Sequence, residues 1–265
     1  GMRQMLWGFF KKVVIADNCA LIVNEVYADV GGMEPYMLVL GALLFTFQIY
    51  CDFSGYSDIA IGCARLFGFD LMRNFAFPYF SRDIAEFWRR WHISLSTWFR
   101  DYLYIPLGGS RGGKWMKVRN TMIIFVVSGF WHGANWTFII WGALNAIFFL
   151  PLLLSERNRA NVGEIAAGRT LPSFREFRGI LVTFILTNFA WIFFRAKSLG
   201  QAMEYLKGIL STSPSEYMLQ AMRLAAEMRT EKFILFIGFL LIMEWWNREK
   251  QHGLEIAHRP PWVRR

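Results

Sequence analysis

"FWHGANWTF", residues 130–138, lies within the longest uncharged run of the chain. Residues 121–154 contain no Lys, Arg, Asp or Glu, and His132 is their only titratable group. As one straight helix this run would be about 51 Å long, which exceeds the roughly 30 Å of a bilayer core. The run must therefore tilt, protrude or break. We predict a break from Gly129 to Asn135, where two glycines and an asparagine flank the histidine.

The composition indicates a membrane protein. The chain has 265 residues, of which 55% are apolar and 18% charged, below the roughly 25% charged residues of soluble domains. Four runs approach the length of a membrane span: residues 36–50 continuing to 69, 121–154, 179–194 and 233–246. We therefore predict an all-α, polytopic membrane helix bundle that forms a single domain over residues 1–265 and includes interfacial and broken or re-entrant helices.

The charge and the cysteine content of the chain limit which functions and sites the sequence supports. The formal charge of +9 comes from Lys and Arg between apolar runs, where they mark cytoplasmic ends of membrane spans, so nucleic-acid binding is not indicated. Cys19, Cys51 and Cys63 show no metal-ligand spacing and are odd in number, which predicts neither a disulfide framework nor a metal site. Residues 1–17 carry Lys11 and Lys12 in the middle and lack a cleavage pattern, so they do not resemble a signal peptide.

Local patterns predict three further features. Residues 5–30 form a helix that ends near Gly31, Pro35 opens the next, and Gly55 favours a break in that second helix. Residues 83–102 repeat aromatic groups at helical spacing opposite Arg and Asp, which predicts an amphipathic helix on the bilayer surface, followed by a basic loop to residue 119. Residues 247–265 read as a polar basic tail without a packing pattern, in which His252 and His258 are solvated.

The chemistry of His132 follows from its depth. If the basic cluster ending at Arg119 is cytoplasmic, the thirteen residues to His132 cover at most about 20 Å of helix, which places the imidazole well inside the membrane. A cation is costly there, so the ring should be neutral at rest and take up a proton transiently, as a general base for a hydroxyl does. The alternative is a histidine that only hydrogen-bonds a neighbouring helix, and the residues alone leave both readings open.

Four segments carry a family resemblance. The segments "FQIYCDFSGYSDIAIG", "FWRRWHISLSTWFRDYLYIPLGG", "GFWHGANWTFIIWGALN" and "NFAWIFFRA" span residues 47–196 and resemble the membrane-bound O-acyltransferase superfamily, in its alginate O-acetyltransferase subunit-like branch. The resemblance implies that His132, in the Trp-His-Gly motif, is catalytic. It also implies a multi-pass protein of the bacterial plasma (inner) membrane that moves an acyl group, acetyl above all, from a cytoplasmic thioester toward an extracellular polysaccharide.

The resemblance implies partners as well. They are the lipid bilayer, acetyl-CoA or another acyl thioester as donor substrate with no bound cofactor, an extracytoplasmic SGNH-type acetyltransferase and a polysaccharide acceptor such as alginate. Two features depart from the family. Relatives begin with additional membrane helices, so the chain resembles a C-terminal fragment. Many relatives also carry a histidine where this chain has Asn145, which argues against a mechanism that needs a histidine at that position.

Several other residues are candidates for the site, each with a structural alternative. His92 could support catalysis or line the donor entrance, and Asn135, three residues after His132, could orient the imidazole or donate to an oxyanion. Arg89 and Arg90 could contact donor phosphates, although lipid headgroups would attract them equally.

A second group of candidates lies in residues 51–62. Asp52, Tyr56 and Asp58 could line a tunnel, with a structural polar network as the preferred interpretation.

Two other functions remain as alternatives. A polysaccharide export or transport subunit would also use broken helices with polar groups at depth. A non-catalytic scaffold would recruit a soluble acetyltransferase. A serine hydrolase is not favoured, since the segment "GYSD" at residues 55–58 lacks the second glycine of a nucleophile elbow.

Overall fold

The computed structural model describes residues 1–211 and 231–255, and every regular element in these residues is helical, which confirms the predicted fold class. The α-helices of this part are α1 (Met2–Phe9), α2 (Asp17–Ala28), α3 (Pro35–Leu66), α4 (Ile84–Arg90), α5 (Ile93–Phe99), α6 (Gly113–His132), α7 (Trp136–Leu154), α8 (Phe174–Arg195), α9 (Leu199–Leu210) and α10 (Glu231–Trp246). Wider π-helical turns cover Phe10–Ala16 and Arg100–Tyr104, and a short 3-10 turn covers Pro78–Phe80.

Three of the described helices are long and apolar enough to cross a membrane. They are Pro35–Leu66, Trp136–Leu154 and Phe174–Arg195. The run at 121–154 contributes its second half, and the run at 233–246 lies in helix α10 (Glu231–Trp246). Three of the four predicted runs therefore contain a candidate span among the described residues.

The predicted break at Gly55 is wrong. Helix α3 continues through it for 32 residues, and Gly55 instead lies at a close contact between α1 and α3. A Cβ atom on Gly55 would lie 2.8 Å from the carbonyl oxygen of Gly8, and one on Gly8 would lie 2.6 Å from that of Gly55. Paired glycines let two membrane helices bring their backbones together, so this glycine serves packing.

The single surface helix predicted over residues 83–102 is also wrong. It is divided into α4 and α5 at Trp91 and His92, where His92 adopts a left-handed backbone conformation with φ of 44°. The division lets the aromatic side chains turn inward: the Trp91 ring stacks on Phe87 and lies 5.1 Å from the ring of Trp191 in α8. Burial of these rings in the core outweighs the continuity of an amphipathic surface helix.

The basic loop and the tail are both more ordered than expected. Lys114, Lys117 and Arg119 lie in the first turns of α6 and not in a loop. At the other end of the chain, the amide of Asn247 donates to the Gly253 carbonyl (2.7 Å), and His252 is only 8% exposed. The prediction of a solvated His252 is therefore wrong, since this segment folds back against Trp7 of α1. His258 and the rest of the predicted tail, residues 256–265, lie outside the described residues.

The break predicted around His132 is confirmed. Helix α6 ends at His132 and α7 begins at Trp136, and the two helices form a closely packed hairpin. A Cβ atom on Gly142 would lie 2.2 Å from the carbonyl oxygen of Phe125, so the hairpin requires glycine at this contact. The hairpin fixes His132 at the tip of α6, between α7 and α8.

Candidate active site

His132 lies in an aromatic pocket at the end of α6. Its ring meets Trp141 of α7 edge-on at 5.3 Å between centroids and Phe194 of α8 at 5.1 Å. Trp141 in turn stacks on Trp191, so three helices hold the imidazole by ring contacts. The side chain is half-buried and forms no hydrogen bond with any residue in 1–211 or 231–255. Both ring nitrogens of His132 are therefore unpaired with the described protein.

A cavity of about 270 Å³ extends from His132 along α6. One wall is a single stripe of that helix at helical spacing, which includes Thr121, Phe125, Ser128 and His132. From Thr121 to His132 the stripe covers about 16 Å at 1.5 Å per residue. The opposite wall comes from α4 and α5. The cavity is thus an elongated chamber with the imidazole at one end.

His92 lines the same cavity, so the structure brings the two histidines of the motifs together. The Asn74 carbonyl accepts from the backbone N–H of Ile93 (2.9 Å), and the Asn74 side chain accepts from that of Ser94 (3.2 Å). These bonds hold His92 in its left-handed conformation, which costs free energy for a non-glycine residue. Burial lowers the pKa of His92 to about 4, so its ring is neutral at physiological pH.

The other end of the cavity is polar and cationic. Arg100, Tyr104 and Ser110 line it from the segment before α6, and Asn158 and Arg159 line it from the residues after α7. The two guanidinium groups are exposed, and that of Arg100 pairs with Asp101 (2.7 Å). Sequence reasoning missed both arginines as site residues, because Arg100 belonged to the outer face of a predicted surface helix and Arg159 to a linker without a pattern.

Asn135 is placed differently from the prediction. It lies beyond the end of α6, so it does not share a helical face with His132. Its side-chain oxygen accepts from the backbone N–H of Thr137 (3.1 Å) and caps α7, while its amide donates to the carbonyl of Lys197 (3.0 Å). Asn135 therefore ties the turn after His132 to the end of α8, and it makes no hydrogen bond to the imidazole.

Arg89 and Arg90 do not line the cavity. The guanidinium group of Arg89 donates to the carbonyls of Asn158 and Asn161, both at 2.8 Å. That of Arg90 is buried and donates to Glu86 (2.9 Å) and to the Ala76 carbonyl. Both guanidinium groups are engaged by other residues of the protein, and the cavity at His132 gives no support to the predicted contacts to donor phosphates.

Asp52, Tyr56 and Asp58 lie on α3, away from this cavity. Asp58 is buried and accepts from Lys11 at 2.6 Å and from Gln4 at 2.9 Å. Asp52 is half-exposed and pairs with Lys12 (2.7 Å), and Tyr56 is 67% exposed. The preferred interpretation, a structural polar network, fits both aspartates, whereas none of the three lines the chamber at His132.

Three further residues complete the placement of the motifs. Asn145 is buried, and its amide donates to the Trp141 carbonyl of its own helix (2.8 Å), without reaching the cavity. Trp131 and Trp136 are both largely exposed on either side of the turn. Within residues 1–211 and 231–255, no group of three or more His, Cys, Asp or Glu side chains is arranged to hold a metal ion.

Comparison with known proteins identifies relatives over most of the chain. A family model described as "MBOAT, membrane-bound O-acyltransferase family" matches residues 25–195. A protein of Azotobacter vinelandii named "Probable alginate O-acetylase AlgI" is 45% identical over 80% of this chain and 40% of its own length. The "Peptidoglycan O-acetyltransferase" of Helicobacter pylori is 43% identical over 77% of this chain and 37% of its own length.

A more distant relative matches the same region. The "Teichoic acid D-alanyltransferase" of Streptococcus thermophilus is 34% identical over 73% of this chain and 50% of its own length. The chain therefore spans about two fifths of the length of the O-acetyl-transferring relatives and half of this one.

Proposed function

The chain belongs to the membrane-bound O-acyltransferase family, and we propose that it forms the catalytic part of a membrane enzyme that moves an acyl group from a thioester donor to a hydroxyl. The observation that carries this proposal is the unpaired imidazole of His132 at the end of an elongated, mostly apolar cavity. A purely structural histidine in such surroundings would be expected to hydrogen-bond a neighbour. This ring instead faces a cavity of about 270 Å³.

In the proposed reaction, His132 acts as a general base. One ring nitrogen accepts the proton of the acceptor hydroxyl while the hydroxyl oxygen attacks the thioester carbonyl carbon. The resulting tetrahedral intermediate collapses as the carbon–sulfur bond breaks, and the imidazolium returns the proton to the leaving thiolate. The products are an ester and a free thiol, and His132 is restored to its neutral form, which the apolar surroundings favour.

The shape of the cavity suits a long thioester donor. The acyl end would lie beside His132, and the chain of the donor would extend along the α6 stripe toward Arg100 and Arg159. Guanidinium groups match phosphate geometry, so this cationic end suits the phosphates of acetyl-CoA or of another phosphate-bearing thioester. We assign this end to the cytoplasmic side, where such donors occur.

His92 is proposed as a supporting catalytic residue. Its neutral ring lines the cavity with His132, and its backbone is held in a strained conformation by Asn74. Its Nδ1 lies 3.4 Å from the hydroxyl of Ser94, a separation at the limit of hydrogen bonding. A neutral imidazole in this position would donate an N–H to the oxyanion that forms on the thioester carbonyl.

The acceptor is proposed to lie outside the cell. The three relatives are named for alginate, peptidoglycan and teichoic acid. For this chain we propose O-acetylation of an extracellular polysaccharide from the plasma membrane, together with an SGNH-type acetyltransferase. The immediate acceptor is a hydroxyl of either the sugar or that partner.

The test uses the full-length protein expressed with its partner. His132→Ala should abolish O-acetylation of the surface polysaccharide at matched abundance in the membrane. His252→Gln provides a matched control, because His252 is a buried histidine outside the cavity. Unchanged acetylation in His132→Ala, with normal acetylation in the control, would remove the catalytic proposal and leave the scaffold function.

The transport alternative is tested in the same cells. An export subunit would move polysaccharide to the surface in the absence of an acyl donor, and His132→Ala would reduce the amount of polysaccharide rather than its acetyl content. Measurement of total surface polysaccharide beside its acetyl groups therefore separates the two functions. The acyltransferase proposal expects an unchanged amount of polymer with no acetyl groups.

A further inference from the structure

A second, chemically different groove lies between α3, α8 and α10. It encloses about 660 Å³, and its walls are apolar nearly throughout; they include Leu44, Phe47, Leu181, Phe184, Ile237 and Leu241. None of its lining residues belongs to the cavity of His132. Because α3 and α8 are candidate membrane spans, this groove lies at the level of the bilayer interior.

The groove continues into a larger recess with a polar end. The two spaces share Phe80, Phe177, Ile180 and Leu241, and the second encloses about 940 Å³. Its far end is a rim formed by the segment before α8 and the segment after α10. At this rim Trp246 is 65% exposed, and tryptophan at the end of an apolar helix is typical of the level of lipid headgroups.

The rim carries more positive charge than the carboxylates of the described residues neutralise. Arg248 donates to the carbonyls of Ile165, Arg169 and Trp245 but has no carboxylate partner within the described residues. Lys250 forms no ion pair there either. Arg169 is paired with Glu176 (2.6 Å), and Glu249 at the rim offsets one cation. The rim therefore keeps an excess of positive charge at the end of an apolar groove.

We propose that this groove binds an anionic phospholipid from the surrounding bilayer. One acyl chain lies between α3, α8 and α10, and the phosphate lies at the rim beside Lys250 and Arg248. An apolar helix of another protein would bind in the groove without using the basic side chains at the rim. A free phosphate ion would bind those side chains without using the groove. A phospholipid uses both, since cationic groups at the membrane surface attract anionic lipid headgroups.

Gly238 offers a way to fill the groove without disturbing the fold. It lines the apolar part, and a Cβ atom built on it would meet no atom within 4 Å. Gly238→Phe should therefore place a ring in the space of the acyl chain. Ile147→Phe on α7 is the matched control, because it adds a ring at a 51% exposed position outside both spaces. Lys250→Gln tests the rim, with Lys207→Gln on α9 as its control.

Lipid retention by the purified full-length protein tests the proposal. The protein is equilibrated with equal amounts of phosphatidylglycerol and phosphatidylcholine in detergent, and bound lipid is counted by native mass spectrometry. We expect the wild type to retain phosphatidylglycerol preferentially and the Gly238→Phe variant to lose that lipid. In Lys250→Gln the preference should be about fivefold weaker, because one lysine near a charged membrane surface contributes about 1 kcal/mol. Both controls should match the wild type, and excess inorganic phosphate should not displace the lipid.

Three outcomes would overturn the proposal. Equal retention of both lipids, unchanged in Lys250→Gln, would identify ordinary lipid of the bilayer shell. Phosphatidylglycerol retained by Gly238→Phe at the wild-type level would place the lipid elsewhere. Crosslinking of a Gly238→Cys variant to another protein segment in membranes would show that a polypeptide fills the groove. None of these outcomes depends on the acyltransferase activity, so they leave the function of His132 untouched.

Discussion

Two regions of this bundle bury titratable side chains, and they treat them in opposite ways. Between α1, α3 and α10, Lys11 and Asp58 form an ion pair at 2.6 Å, and Tyr50 donates to Glu244 at 2.7 Å. At the tip of α6, His132 contacts the rings of Trp141 and Phe194, forms no hydrogen bond within the described residues, and adjoins a cavity. Groups that satisfy each other hold the bundle together, whereas a group left unpaired beside a cavity is available for a substrate. Whether a titratable side chain has a partner in the protein therefore distinguishes structural from catalytic residues better than its degree of burial does.

The largest effect is expected at the cavity. His132→Gln should lower the rate of acyl transfer by about 10²- to 10⁴-fold, the usual contribution of a general base. The free energy of unfolding should change by about 1 kcal/mol or less, because no hydrogen bond of the protein is lost. Transfer kinetics and reversible unfolding in mixed micelles measure the two effects on the same sample. A variant that loses stability and activity together would show that His132 stabilises the fold, as Lys11 and Asp58 do.

The opposite result, a loss of stability without a loss of activity, is expected for the buried ion pair of Lys11 and Asp58. Lys11→Met leaves the Asp58 carboxylate buried without its cation and should lower the free energy of unfolding by about 3–5 kcal/mol. The transfer rate per folded molecule should remain that of the wild type, since neither residue lines the cavity. Reversible unfolding in micelles provides the measurement.

The double variant is the control for this prediction. Lys11→Met combined with Asp58→Leu replaces the pair by apolar groups and should recover most of the lost stability. If the double variant were as unstable as Lys11→Met alone, the cluster would depend on more than charge pairing. If its transfer rate per folded molecule fell, the two regions would be coupled.

The sequence predicted the catalytic candidate and its break, because a lone histidine between glycines in an uncharged run is a local signal. It did not predict which other side chains meet His132. Asn135 is close in sequence but caps α7, while His92 is forty residues away and shares the cavity. Partners of this kind are set by the packing of α4 and α5 against α6, which depends on where the Trp91 ring is buried and not on helical periodicity.

The two wrong predictions about helix continuity have one cause. Gly55 suggested a break, yet α3 is continuous because the glycine admits Gly8 of α1. Residues 83–102 suggested one helix, yet the chain turns at His92 because the Trp91 ring is buried in the core. In both cases contacts with a distant part of the chain outweigh the local propensity, and these contacts are invisible in a single sequence.

A smaller effect is expected at the cationic end of the cavity. Arg159→Gln should raise the KM for a coenzyme A thioester about fivefold at low salt, with little change in kcat. The factor of five corresponds to the roughly 1 kcal/mol that an exposed charge pair contributes. The difference should disappear at high ionic strength, since the guanidinium is exposed. Arg157→Gln, an exposed arginine two residues earlier that does not line the cavity, should behave as the wild type. Equal effects of both variants would indicate a general charge effect and no donor contact.

The smallest effect is expected at Asn135. Variants of this residue test whether it belongs to the catalytic site or only stabilises the fold. Asn135→Ala removes the cap of α7 and the bond to Lys197, which should cost about 1 kcal/mol of stability. Asn135→Asp keeps the cap and should cost less. If Asn135 belongs to the scaffold, neither variant alters kcat/KM per folded molecule. A loss of about 10²-fold in kcat at unchanged stability would instead show that the amide leaves Lys197 during the reaction and donates to the oxyanion.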